Sequence, residues 1–123
     1  MKQLTPFHDE QGNVHFPYRA LRSVVFIFPT APPETLGEKS LIALPEEFRE
    51  YYQDKTGIIL SIGPGYYDKK NRWNPADPRL KSGTKVFFDN SVPHEIHVLG
   101  QDMKPYRVVL CMEVDIFGIV EEE

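Results

Sequence analysis

The chain has 123 residues, 41% of them hydrophobic and 12% aromatic, enough for one buried core and too few for two ordinary domains. Lys and Arg total 14 against 18 Asp and Glu, and the resulting net charge of −4 leaves no broad basic surface for nucleic acid. The longest apolar run, Val24 to Phe28, falls far short of the roughly 20 residues of a membrane span, so neither nucleic acid nor a membrane is expected as a partner.

Residues 1–22 mix polar side chains with Pro6 and Pro17 and keep no sustained period, so they read as an irregular or partly ordered N-terminal extension. They lack the apolar stretch and small-residue cleavage site of a secretory signal. The lone cysteine, Cys111, has no partner for an internal disulfide. Both features fit a reducing, cytoplasmic setting. Cys111 lies in Val108-Val109-Leu110-Cys111-Met112 and reads as a small buried apolar residue.

From Ser23 the pattern changes, and residues 23–123 read as one all-β domain. Val24-Val25-Phe26-Ile27-Phe28 is β-branched and aromatic, too short for a core helix and stopped by Pro29, which predicts a buried strand. Further strands are expected at Gly57 to Ile62, Lys85 to Phe88, Glu95 to Leu99, Arg107 to Met112 and Ile116 to Val120. Turn residues separate them at Gly63-Pro64-Gly65, Lys81-Ser82-Gly83-Thr84, Asp89-Asn90-Ser91 and Gly100-Gln101-Asp102. Short strands punctuated in this way predict a barrel or sandwich. The one helix candidate is Pro45 to Tyr52, with Pro and glutamates at its start.

Two segments stand outside a compact barrel. Residues 30–56 join the first strand to the second, and a connection of that length is usually functional or disordered. Inside it, Leu41, Ile42, Ala43 and Leu44 form an apolar cluster in polar surroundings, and in an extended chain Ile42 and Leu44 point the same way and can fill adjacent pockets. Alternatively these side chains tuck back onto the barrel with Phe48 and Tyr51. Residues 66–78 carry Tyr66, Tyr67 and Trp73 and read as a projecting hairpin arm, with the basic run Asp68 to Arg72 as its solvated tip.

Chemistry has little foothold. In Val92-Pro93-His94-Glu95-Ile96-His97, strand alternation puts His94 and His97 on opposite faces, which argues against a shared metal. His8 and His15 lie in the extension, too remote in sequence for a foreseeable three-ligand site. Gly63-Pro64-Gly65 lacks the long glycine run, Lys and helix of a phosphate loop. No catalytic residue, metal or cofactor is expected.

Three stretches resemble the chaperonin-10 (GroES-like) family in order and spacing: Gly57 to Gly65, where Gly opens a strand of aliphatics and Gly-x-Gly ends it; Leu80 to Phe88, a lysine-containing turn, Gly and apolar strand; and Met112 to Val120, with Asp115-Ile116 before the last apolar pair. The resemblance covers roughly Leu21 to Glu122. It implies a GroES-like irregular β-barrel, with 30–56 as the mobile loop and 66–78 as the roof hairpin. It implies further a co-chaperonin that caps a chaperonin-60 (GroEL-like) ring around an unfolded client protein and assists ATP-dependent folding without being an enzyme. The docking tripeptide would be Ile42-Ala43-Leu44, with Leu41 beside it and Pro45 following. The usual preceding glycines are absent, and Ala43 is smaller than the usual central aliphatic.

A homo-oligomeric ring, a heptamer by resemblance, is expected to form when Val24, Val25 and Phe26 of one barrel pair with Ile116, Phe117, Ile119 and Val120 of its neighbour, covering edges that would otherwise invite aggregation. Tyr66, Tyr67 and Trp73 would pack between subunits at the roof or cover the open end of their own barrel. One other class stays open on the residues alone, a barrel-shaped structural or assembly protein, for example viral, that uses the same arms for subunit contacts; a third, a cupin-like metalloenzyme, is discounted by the alternation of His94 and His97.

Overall fold

The computed structural model describes residues 5–30, 56–89 and 94–120. The strands are β1 (Val24–Pro29), β2 (Thr56–Ile62), β3 (Gly65–Tyr67), β4 (Trp73–Pro75), β5 (Lys85–Phe88), β6 (His94–Leu99), β7 (Pro105–Met112) and β8 (Ile116–Ile119), with a 3₁₀ turn at Glu113–Asp115 before β8. Six of them form one antiparallel sheet in the order β6-β7-β1-β2-β5-β8, and β3 and β4 form a separate two-stranded hairpin. The expected helix at 45–52 lies outside the described residues. Among the described residues no helix is long and apolar enough to cross a membrane.

The unbroken apolar run of β1 has a direct cause: the strand is covered on both faces. Val25 and Ile27 point into a first cluster with Ile59, Val86, Phe88 and Val109, against which Ile62, Leu80, Cys111, Ile116 and Ile119 also pack. Side chains from β7 and β8, at opposite ends of the order β7-β1-β2-β5-β8, meet in this one cluster, so the sheet curls around it into an irregular barrel. Register shifts at Phe26/Ile27 and at Phe87/Phe88 supply bends of the kind that such curling needs.

Phe26 and Phe28 point the other way, into a second cluster with Leu60, Ile96, Val98, Tyr106 and Val108. Residues 5–16 cover that face. Phe7 is 1% exposed and meets Phe16, Phe28 and Tyr106 edge to face, with ring centroids 5.3, 6.3 and 6.2 Å away. The segment is shaped by its own polar contacts: the Thr5 and His8 side chains hydrogen-bond at 2.8 Å, and His8 bridges to Val14. Asp9 Oδ1 accepts from the N–H groups of Gln11 and Asn13 at 2.9 and 2.8 Å. The Asn13 N–H is the largest of the effects that hold the Asp9 carboxyl below its ordinary range. Gln101 N–H donates to the Pro6 carbonyl at 3.0 Å and ties the segment to the β6–β7 turn.

Candidate partner-binding surfaces

Four parts of the chain are candidates for partner binding: the root of the long connection, the β8 edge of the sheet, the hairpin arm and the pocket beside Cys111.

β1 runs into the connection and β2 returns from it through one closed neck. Thr30 N–H donates to the Thr56 carbonyl at 2.9 Å, and the two hydroxyls lie 3.1 Å apart with Thr30 7% and Thr56 1% exposed. Next to this pair, a Cβ on Gly57 would stand 2.7 Å from the Phe28 carbonyl oxygen and 2.3 Å from Ile27 Cγ2, so the strand pair closes here only with glycine. The glycine that opens the first matching motif is therefore a requirement of the neck. Leu41, Ile42, Ala43, Leu44 and Pro45 lie outside the described residues. Sequence reading overlooked the threonine pair, whose one signal is a Thr at each end of the connection.

The expected subunit contact needs one correction. β1 is hydrogen-bonded on both sides within its own chain, to β2 through Val25↔Ile62 to Pro29↔Gly57 and to β7 through Val24↔Met112 to Ile27↔Val109. Val25 is fully buried, and Phe26 packs under Phe16 with ring centroids 5.2 Å apart. Val24, Val25 and Phe26 thus have no free edge to offer a neighbour. β8 differs: it ends the strand order, paired to β5 alone among the described strands. Ile116 and Ile119 turn inward to the first cluster, Val120 is half-buried with its N–H on the Lys85 carbonyl at 2.8 Å, and Phe117 is 73% exposed.

The arm at 66–78 is a two-stranded hairpin in which Tyr67 and Trp73 pair directly, their ring centroids 5.1 Å apart. Tyr66, Tyr67 and Trp73 are 46, 66 and 47% exposed, so in the single chain none of them plugs the barrel. Gly65 starts the arm with φ +137°, and a Cβ there would lie 2.2 Å from the Asn74 carbonyl oxygen. The base is fixed by Gly65 N–H to the Arg22 carbonyl at 3.0 Å, by Ala76 N–H to that of Pro64 at 2.9 Å, and by Asp77 N–H to Glu113 Oε1 at 2.8 Å. Arg79 donates to Asp77 at 2.7 and 3.0 Å and holds that carboxyl down to about 2.

A 370 Å³ pocket brings His94 and Cys111 together with Asp89 and Asp115. Burial, reinforced by the Asp115 charge, pushes the thiol up to about 12, so it stays protonated at neutral pH and is no nucleophile. His94, Glu95 and His97 are all exposed, and Glu95 is paired with Arg107 across the strands. Among the described residues no group of His, Cys, Asp and Glu is arranged to hold a metal.

No curated protein matches the chain. The family described as the chaperonin 10 Kd subunit matches residues 18–120, which span every strand, both ends of the Thr30–Thr56 neck and the hairpin arm. A single antiparallel barrel with a long connection after β1, an arm after β2 and a closing strand after Asp115 is the architecture that such a match requires, and the chain belongs to the chaperonin-10 family.

Proposed function

We propose that the protein is a co-chaperonin lid that caps a chaperonin-60 ring through the segment between Thr30 and Thr56. Chaperonin-10 proteins are non-enzymatic co-chaperonins, and the family match over residues 18–120 is the observation that carries this reading. The neck supports it: a docking segment whose two ends leave one hydrogen-bonded root can engage a partner while the barrel stays unchanged. Ile42 and Leu44 are the anchors, with Leu41, Ala43 and Pro45 around them. Ordering such a segment has an entropy cost, so one copy binds weakly, on the order of millimolar. Several copies on one ring raise the effective concentration and bind well together, yet release when nucleotide changes the chaperonin.

The ring, a heptamer by family likeness, is built from a head-to-tail contact, which needs two different patches on each subunit. One is the outer edge of β8 with Phe117. The other is the exposed pair Tyr18 and Leu21, on the stretch that leads into β1. An unfolded client occupies the closed cage.

Sedimentation of the protein with a chaperonin, with and without ATP or ADP, tests the reading against an Ile42→Asp/Leu44→Asp variant. Nucleotide-dependent association that the variant loses while its ring stays assembled is the expected result. A wild type that associates with no chaperonin in any nucleotide state would overturn the lid and favour a structural role for the barrel.

A further inference from the structure

The hairpin arm carries a charge opposite to that of the rest of the chain. Lys69, Lys70 and Arg72 against Asp68 give its tip a net +2, which leaves −6 on the remainder of a chain whose total is −4. The tip is rigid. Asp68 Oδ1 accepts from the backbone N–H groups of Lys70 and Arg72, both at 2.9 Å, and Oδ2 accepts from Arg72 Nε at 3.2 Å. The turn closes through Asp68 N–H to the Arg72 carbonyl at 3.0 Å and Asn71 N–H to the Asp68 carbonyl at 2.9 Å, with Asn71 at φ +60°. Asp68 and Arg72 satisfy each other, and the ammonium groups of Lys69 and Lys70 meet no carboxylate among the described residues. The strand residues that flank the turn, Tyr67 and Trp73, are exposed and pair with each other.

We propose that this tip is a docking surface for an acidic stretch of unfolded polypeptide. Two lysines on a backbone turn of fixed shape supply the charge, the paired rings, tilted 58° to each other, supply an apolar surface for the chain between acidic residues, and a turn already locked by its own hydrogen bonds loses little freedom on binding. A nucleic acid fits less well, because a long polyanion would extend beyond the tip over a surface of its own sign. The inference rests on the lid reading in one respect: a ring repeats the tip in every subunit, so a client that reaches several of them turns weak single contacts into retention. The acidic balance of the chain, which alone suggests a roof that repels acidic clients, is thus reversed locally at the arm.

Trp73 is the only tryptophan, so its fluorescence reads the site directly. The probe is a peptide of alternating Glu and Leu, titrated into the assembled protein without chaperonin, beside a control with Lys in place of Glu and a single-stranded oligonucleotide. The expected result is an emission shift with the acidic peptide alone, weakened by salt and weakened about tenfold in a Lys69→Glu/Lys70→Glu variant. That variant is expected to keep its ring and its nucleotide-dependent association with chaperonin. Equal response to both peptides, indifference to the charge reversal, or stronger binding of the oligonucleotide would each overturn the proposal. Because chaperonin is absent from the titration, failure here leaves the lid reading standing, and failure of chaperonin association leaves this result interpretable.

Discussion

Single side chains show where this fold is sensitive. Phe7 is buried among Phe16, Phe28 and Tyr106, and Phe7→Ala should lower stability by on the order of 3 kcal/mol, read as a lower urea midpoint with an unchanged slope. At the neck, Thr56→Val strands the buried Thr30 hydroxyl and should cost about 1 kcal/mol or more. Thr30→Val together with Thr56→Val removes both partners, so a double-mutant cycle should find the double variant less destabilised than the sum of the two single ones. The Cys111 thiol should react slowly with a disulfide reagent at about pH 8 and rapidly once urea unfolds the chain and returns it to its ordinary pKa of roughly 8.5. The sign of the linkage follows: the folded pKa is raised, so the contribution of Cys111 to stability is complete below the unfolded pKa and fades as pH rises towards about 12. A Cys111→Ala variant should lack that alkaline loss.

Among the elements, β6 and β8 end the strand order with outer edges that no described strand covers, and at β8 Phe117 projects beside the edge, 73% exposed. Phe117→Arg should leave the circular dichroism of the barrel unchanged and reduce the particle to a smaller species by light scattering; an unaltered particle size would remove β8 from the subunit contact. Most strands were legible in the sequence. Lys85–Phe88 is legible to the residue because the apolar run Val86-Phe87-Phe88 lies between the turn residues Lys81 to Thr84 and Asp89 to Ser91, and the arm is legible from its aromatics between turn residues. The role of β1 was not legible, because a run buried on both faces within one chain has the same composition as a run that awaits a neighbour. Phe7 was equally silent: its burial depends on Leu60, Val98 and Val108, far along the chain, and no local period announces it. The apolar cluster Leu41 to Leu44 was legible as a docking candidate because it stands out from polar surroundings, while the threonine pair that roots it joins residues 26 positions apart.

At the scale of the whole molecule, the proposed lid would place its three requirements on separate parts of one chain. On the proposed reading, association would fall to the β8 edge, chaperonin docking to the segment between Thr30 and Thr56, and contact with the client to the hairpin arm. Changes in one should therefore be nearly additive with changes in another, since distant sites without shared partners couple weakly. The ring assembled from Ile42→Asp/Leu44→Asp subunits should melt at the same temperature as the wild-type ring, a comparison that calorimetry makes directly.

The neck has a consequence for how such proteins diversify. Both ends of the connection pass through one doorway, held by Thr30 and Thr56 and fitted to Gly57, so its closure on the barrel depends little on the length threaded between them. Doubling the length of a closed loop adds only about 0.6 kcal/mol of closure cost. The interval is thus a natural grafting site, and a docking sequence taken from another lid and spliced between the two threonines should redirect this barrel to that lid's chaperonin.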